Sequence, residues 1–379
     1  MFIPLQDLST VNKFDSIRPY HDEEVHEVLL ELSNNRRFLK MLFETGEFKN
    51  IKYLPFARKI LSSVLKNKVK DIHDVESYQD LFEGIVSDVI KKSINNFSVS
   101  GIDNIDPNKG YLFISNHRDI TLDSALLNLT LHQNNCKTTY NAVGNNLLSE
   151  KWASDLMRLN KSFIIDRSDK SKRDIYKSLH LSSDFIYESI LNKNESIWIA
   201  QKQGRSKDGI DFTDPSVIKM IHLHSRKKIS VNEYLNSLNV IPVSISYEND
   251  PNDILKAREL YLTDLNQIYT KDPKEDLQSI AEGVRGYKGN VHLGIGKVIN
   301  FDIDSYESCS DQITKEIKDL FMLHATNYAA AIIQGIDITN NPFDSTAIDD
   351  AIQYLNNKMK AIPEEIHPYL LNQYSNPVL

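Results

Sequence analysis

The chain has 379 residues, of which 41% are hydrophobic and 25% charged, and its formal net charge is −8. This composition is typical of a globular protein with a substantial core, and the length allows two domains or one large domain with helical additions. The acidic balance argues against nonspecific nucleic-acid binding across the whole surface. The two cysteines, Cys136 and Cys309, are far apart in the sequence, which favours a reducing compartment over a disulfide framework or a zinc site.

The N-terminal stretch lacks the basic start and apolar core of a signal peptide. No window of about 18 apolar residues occurs, so the sequence predicts no transmembrane helix. We therefore expect a cytoplasmic protein, or one held peripherally on the cytoplasmic face of the membrane.

Apolar residues spaced three to four positions apart predict an N-terminal helical domain over residues 1–95. From Phe97 onward, β-type runs alternate with helical patterns, which predicts an α/β domain over residues 96–305 with a mostly parallel sheet flanked by helices. Residues 306–379 return to helical spacing and form a predicted C-terminal helical extension.

The α/β prediction depends on a series of short apolar runs. The predicted strands are Phe97–Ile102, Tyr111–Ile114, Lys137–Val143, Lys161–Arg167, Glu195–Ala200, Asn239–Tyr247 and Asn290–Val298. Pro242 cannot donate to a β-ladder, so we expect its strand to lie at a sheet edge or to begin irregularly.

The turn after the strand Tyr111–Ile114 contains the densest group of candidate catalytic side chains. It presents His117, Arg118 and Asp119 together, and Asp123 opens the helix that follows. A buried strand running into a polar turn and a helix is how α/β enzymes place catalytic side chains at the carboxyl edge of a sheet. A histidine beside two carboxylates predicts a general base with an orienting acid. The alternative is a surface histidine next to a helix cap.

Three later blocks fall at or after strands, where side chains can converge on the same sheet edge. In chain order they are Ile164–Arg167, Gln203–Ser206 and Ile241–Val243. Together with Asn116-His117 and Asp123, they resemble the motifs of the glycerolipid acyltransferase superfamily, which are Asn-His-x4-Asp, Phe-Ile-x-Arg, Glu-Gly-Thr-Arg-Ser and Val-Pro-Val. The resemblance covers about residues 97 to 300, and a helical domain ahead of it is similar to the soluble glycerol-3-phosphate acyltransferase branch.

The chain departs from the family pattern at two places. Five residues separate His117 from Asp123 where the family has four, and Leu122 stands where the family has its aspartate. Either the extra residue bulges the turn so that Asp123 still reaches the imidazole, or Asp119 takes the orienting role. We favour Asp123, because the helix after it matches the family context. In the later loop, Gln203 stands in the position of the family's glutamate.

The resemblance implies acyl transfer to a hydroxyl of glycerol-3-phosphate or 1-acylglycerol-3-phosphate in phospholipid biosynthesis. The donor would be acyl-CoA or acyl carrier protein, a co-substrate, and no resident cofactor or metal is implied. His117 would act as the general base, and an aspartate on its other ring nitrogen would fix the tautomer. Backbone N–H groups at the start of the following helix would stabilise the oxyanion.

An acceptor phosphate needs fixed cationic donors. Arg167 and Arg205 each lie just past a strand, and Arg118 stands next to the predicted base. Arginine suits bidentate recognition of phosphate oxygens, and Gly204 would let the backbone approach closely. The alternative for Arg167 is an ion pair with a neighbouring aspartate.

Membrane contact would be peripheral, through the basic clusters at residues 66–70 and 225–228. Two other functions stay open. An acyltransferase for a lyso-aminolipid is compatible with Gln203 in the shortened loop. A non-catalytic lipid-binding protein on the same fold is compatible with the altered histidine-to-aspartate spacing.

Overall fold

The computed structural model describes residues 13–45, 53, 55–145, 150–167, 171–266, 269, 275–338 and 340–379. The helices are α1 (Asp22–Asn34), α2 (Arg36–Thr45), α3 (Ala57–Val69), α4 (Val75–Ser93), α5 (Leu122–Gln133), α6 (Lys151–Leu159), α7 (Lys172–Tyr187), α8 (Pro215–Ile221), α9 (Val231–Ser237), α10 (Asp253–Asn266), α11 (Glu275–Arg285), α12 (Tyr306–Asp319), α13 (Ala325–Ile333), α14 (Ser345–Met359) and α15 (His367–Ser375). The strands are β1 (Ile94–Ser100), β2 (Leu112–Ser115), β3 (Tyr140–Gly144), β4 (Ser162–Ile165), β5 (Ile197–Ala200), β6 (Val240–Tyr247) and β7 (Gly289–Ile295). Among the described residues, no helix combines the length and apolar character needed to cross a bilayer.

The chain divides into two compact units. The first comprises residues 1–81 and 140–189, and the second comprises residues 82–139 and 190–379. These boundaries do not coincide with the three segments expected from the sequence. The reason lies in the first unit, where α6 contacts α1, α2 and β4. Because β4 pairs with β3, these two strands pack with the N-terminal helices.

The first unit contains a parallel strand pair. β3 lies beside β4, with Asn141 opposite Ser162 and Gly144 opposite Ile165. The backbone N–H of Ile164 donates to the carbonyl of Ile17 at 2.9 Å. The N-terminal helices predicted from apolar spacing are observed as α1 to α3 and the beginning of α4.

The second unit contains strands in the order β1-β7-β6-β2-β5. The pairs β1–β7, β6–β2 and β2–β5 are parallel, and only β6–β7 is antiparallel. The predicted α/β fold with a mostly parallel sheet flanked by helices is therefore confirmed. Because β2, β5 and β6 run in the same direction, the residues that follow them gather at one edge.

One face of this sheet buries alternate residues of β6. Ile241, Val243, Ile245 and Tyr247 all belong to a single buried cluster that also contains the apolar residues of α5. Such spacing by two is what a strand with one buried face requires. Helix α5 is itself buried along Leu122–Leu131, so the turn that precedes it rests on a rigid support.

Of the two placements expected for Pro242, a sheet edge and an irregular strand start, the sheet edge is wrong. β6 is an interior strand, and Pro242 lies opposite Ile114 of β2. The β7 ladder begins only at Val243, opposite Ile295, and the Pro242 carbonyl accepts the N–H of Gly296 at 2.9 Å. Pro242 therefore lies just beyond the end of its antiparallel neighbour, where the missing N–H leaves no ladder bond unmade.

The C-terminal part is helical, as predicted, with differences in detail. The apolar spacing over residues 311–335 predicts one continuous helix. The structure has two helices there, α12 and α13, and His324 is the N-cap of the second. Helices α13, α14 and α15 pack with Ala257 of α10 around a second buried cluster. The apolar patterns of the sequence did not indicate α9, α10 or α11, and α11 contributes to the site described below.

Candidate active site

Asn116 follows the last residue of β2, and its side chain takes the place of the next backbone pairing with β6. Its Oδ1 accepts the N–H of Ile245 at 2.8 Å, and its Nδ2 donates to the carbonyl of the same residue at 3.0 Å. The amide thus continues the pairing with β6 while the main chain turns out of the sheet. This arrangement places His117 at the carboxyl edge.

The structure pairs His117 with Asp123. The His117 Nδ1 lies 2.8 Å from Asp123 Oδ2, and the two side chains are 15% and 2% exposed. The same oxygen accepts the backbone N–H groups of Arg118 at 2.6 Å and Asp119 at 3.0 Å. The extra residue in the turn is accommodated because Asp123, the second residue of α5, reaches back across the whole turn.

Asp119 caps the turn. Its Oδ1 accepts the N–H groups of Thr121 and Leu122, both at 2.9 Å, and its Oδ2 lies 3.4 Å from the amide nitrogen of Asn252. Burial and the charge of Asp123 raise the pKa of the Asp119 carboxyl. No hydrogen bond joins Asp119 to His117 among the described residues, so the geometry gives the orienting position to Asp123.

These contacts also bear on the expected oxyanion donors. The backbone N–H groups of Arg118, Asp119, Thr121 and Leu122 are all accepted by the two aspartates. Those four donors are therefore occupied by the turn itself. The expectation that the start of α5 supplies them to an oxyanion does not hold for these groups.

Trp198 and Ser206 fix His117 from two sides. The Trp198 ring meets the imidazole edge-on with centroids 5.7 Å apart, and its Nε1 donates to Ser115 Oγ at 2.9 Å. The Ser206 N–H donates to the His117 carbonyl at 2.7 Å. With Nδ1 held by Asp123, the ring nitrogen Nε2 has no hydrogen-bond partner among the described residues. A neutral imidazole in this tautomer can accept a proton at Nε2.

Arg118, a predicted substrate-binding residue, is held within the protein. Its Nη2 donates to Asp211 Oδ2 at 2.5 Å, and its guanidinium lies 5.3 Å from the ring centroid of Phe321. Asp211 is buried and also accepts from Asn116 and Gln201. The positive charge of Arg118 is thus neutralised beside the site.

Arg205 retains unused donor capacity. Its Nη2 donates to Ser279 Oγ of α11 at 3.2 Å, whereas its buried Nη1 finds no acceptor among the described residues. The preceding Gly204 has φ +77°, a conformation that favours glycine, and its missing side chain would point into open space. Because Ser206 bonds the His117 backbone, this loop lies directly beside the predicted base.

Arg167 follows β4 in the first unit, where the neighbouring Asp166 accepts a hydrogen bond from Asn145 at 2.6 Å. Its role in phosphate binding stays a prediction.

A small cavity lies against Arg118. Its volume is about 30 Å³, and its walls include Ser206, Tyr247, Asp250 and Tyr374. That volume accommodates roughly one water molecule, far less than a glycerol phosphate.

Helix α11 packs closely on the turn through Gly283. A Cβ at this position would lie 2.1 Å from Asp119 Oδ2. Sequence reasoning missed this helix, and it also missed the contacts made by Asp211, Trp198 and Tyr247. Tyr247 is the last residue of β6 and donates its hydroxyl to Asp123 Oδ1 at 2.9 Å. Its place at a strand end on the shared edge is the one signal that could have identified it.

Comparison with known proteins identifies a family domain in this part of the chain. The protein-family model described as Acyltransferase matches residues 96–245, which include β2, the His117 turn, β5 and most of β6. Residues 96–245 therefore form an acyltransferase domain. The match covers the pairing of His117 with Asp123 and the Arg205 loop, so these residues lie in an acyltransferase domain.

The comparisons with solved structures and with curated proteins are less informative than the family model. The 1-acyl-sn-glycerophosphate (LPA) acyltransferase PlsC from Thermotoga maritima is similar over 78% of this chain and 95% of that one, with 13% identity and a TM-score of 0.39. A likeness of this strength carries no information on substrate. No curated protein matches the acyltransferase chain significantly.

Proposed function

We propose that this acyltransferase moves a fatty acyl group from acyl-CoA or acyl carrier protein to a hydroxyl of glycerol-3-phosphate or 1-acylglycerol-3-phosphate. The observation that carries the proposal is the contact of 2.8 Å between His117 Nδ1 and Asp123 Oδ2, beside a loop that holds an arginine with an unused donor. A purified preparation incubated with each donor and acceptor should form ester and release free thiol in equal amounts.

His117 is the general base of the proposed reaction. The acceptor hydroxyl oxygen attacks the thioester carbonyl carbon while its proton moves to His117 Nε2. The carboxylate of Asp123 holds the ring and stabilises the imidazolium that forms. When the carbon–sulfur bond breaks, the departing thiolate takes that proton, which yields an ester and a free thiol and restores the neutral base. No covalent enzyme intermediate is needed.

The contact between His117 and Asp123 weighs against the non-catalytic alternative. That alternative depended on the altered spacing, and the spacing does not prevent Asp123 from reaching the imidazole. In the lyso-aminolipid alternative the acceptor carries no phosphate. A variant of Arg205 therefore distinguishes that alternative from the main proposal.

Replacing Arg205 by alanine should raise the KM for a phosphorylated acceptor by about tenfold to a hundredfold, since hydrogen bonds to charged groups are worth roughly 1.5–3 kcal/mol. Steady-state kinetics with glycerol-3-phosphate, and with an acceptor that lacks the phosphate, measure the effect. Arg258→Ala, which removes an exposed arginine from α10, is the matched control and should leave KM unchanged. Equal losses on both acceptors would contradict a phosphate-binding role for Arg205.

The proposal includes peripheral contact with an anionic membrane, for which α3 offers a suitable face. Ile60 and Val64 lie four residues apart on the helix and are exposed, as is the N-cap residue Phe56, while Lys59 and Lys66 flank them. Exposed apolar residues next to lysines are the pattern of a helix that lies in a lipid headgroup layer.

The variant Ile60→Glu should reduce cosedimentation with phosphatidylglycerol vesicles several-fold, because a carboxylate opposes both apolar contact and attraction to anionic lipid. Ile332→Glu is the matched control, since Ile332 and Ile60 are both 43% exposed. Equal binding by the two variants would remove α3 from the membrane contact.

A further inference from the structure

We propose that Tyr247 is a positioning residue that fixes the carboxylate of Asp123 for proton transfer at His117. This inference rests on the function proposed above. Tyr247 is buried, and its hydroxyl donates to Asp123 Oδ1 at 2.9 Å. The tyrosine does not reach the imidazole directly, so its effect passes through the aspartate.

The two oxygens of Asp123 have different partners. Oδ2 receives the imidazole of His117 and the backbone N–H groups of Arg118 and Asp119. Oδ1 receives Tyr247 alone among the described residues. Without the tyrosine, one oxygen of a buried carboxylate would lose its hydrogen bond, and the plane of the carboxylate would lose its second anchor.

The strand β6 is built to deliver this hydroxyl. β2 ends at Ser115, opposite Val243, whereas β6 continues for four more residues to Tyr247. Residues 241, 243, 245 and 247 share the buried face, so Tyr247 is the last member of an apolar row and the first to stand above the turn. Its ring packs in the core while its hydroxyl meets the aspartate.

The environment keeps Tyr247 a proton donor. Burial, together with the negative charges of Asp123 and Asp119, raises the pKa of its hydroxyl far above the ordinary value. The group therefore stays protonated at any working pH. The neutral hydroxyl can therefore keep donating its hydrogen bond to Asp123 Oδ1 beside the imidazole.

Removing the donor has a defined consequence for pH dependence. A more basic carboxylate either takes up a proton itself or binds the imidazolium more strongly. Both changes favour the protonated, inactive form of the pair formed by His117 and Asp123 in the variant. The fall of the rate at low pH, which is the acid limb of the rate profile, should therefore begin at a higher pH.

Tyr247→Phe tests the inference with little change of shape. We expect kcat for acyl transfer to fall about tenfold to a hundredfold, KM to stay unchanged, and the acid limb to move up by about one pH unit. Tyr20→Phe is the matched control, because the Tyr20 hydroxyl donates to Asp155 Oδ1 at 2.8 Å in the first unit. It should leave all three quantities unchanged.

A second measurement needs no turnover. In an NMR titration of protein labelled with carbon-13 histidine, the His117 signals of Tyr247→Phe should change at a higher pH than those of the wild type. Unchanged kcat and an unchanged titration would overturn the role of Tyr247, as would a lower kcat with an unmoved pH profile. A shifted titration in a protein whose wild type forms no ester would support the positioning role and refute the proposed function.

Discussion

The variant His117→Ala should lower kcat for acyl transfer about a thousandfold, because a positioned general base typically contributes 10² to 10⁴. Nε2 is the ring nitrogen that finds no partner in the described part of the chain, and alanine provides nothing to receive the hydroxyl proton. The residual rate would come from substrate binding alone, so KM should change little. Thiol release from an acyl thioester, measured with and without acceptor, gives both constants.

His132→Ala is the matched control for this experiment. His132 also pairs with a carboxylate, its Nδ1 lying 2.9 Å from Glu83 Oε2, but it stands at the far end of α5 from the turn. Its loss should leave kcat unchanged. If both variants transferred acyl groups at the wild-type rate, His117 would have no part in the chemistry.

The variant Asp123→Asn should lower kcat by about a thousandfold to ten thousandfold, the size of effect seen when an orienting aspartate loses its charge and the histidine its correct tautomer. The amide has one acceptor oxygen, whereas the carboxylate accepts four hydrogen bonds from His117, Arg118, Asp119 and Tyr247. The NH₂ group of the asparagine would lie opposite one of these hydrogen-bond donors. The turn should therefore weaken as well, and the free energy of unfolding should fall by about 2 kcal/mol.

Asp119→Asn is the informative comparison, since it makes the same chemical change in the same turn. The amide oxygen of an asparagine can still accept the N–H groups of Thr121 and Leu122. Its loss of kcat should be at least tenfold smaller than that of Asp123→Asn, measured in the same assay. Equal losses would mean that the geometry does not identify the orienting acid.

Local patterns were sufficient to predict the strand, turn and helix around His117. An apolar run, a polar break and a helical recovery specify that unit within about 20 residues, and β2 and α5 are found there. The same patterns could not decide between Asp119 and Asp123. That choice depends on how far a side chain at the second position of α5 reaches back, which is a property of the folded turn.

Other parts of the site depend on contacts between distant positions. Tyr247 meets Asp123 across 124 residues, and Arg118 meets Asp211 across 93. Sequence spacing says nothing about which of many strand-end side chains pair in this way. The placement of Pro242 in the sheet also depends on a distant contact, since it is decided by where the neighbouring strand β7 ends.

The central claim is that His117 takes the acceptor's proton in direct transfer to a glycerol-phosphate hydroxyl. It is tested most directly by supplying a labelled acyl thioester and glycerol-3-phosphate to the wild type, His117→Ala and His132→Ala, and measuring ester and free thiol together. We predict one thiol released per ester formed by the wild type and by His132→Ala, and almost no ester from His117→Ala. Ester formation at the wild-type rate by His117→Ala would contradict the account.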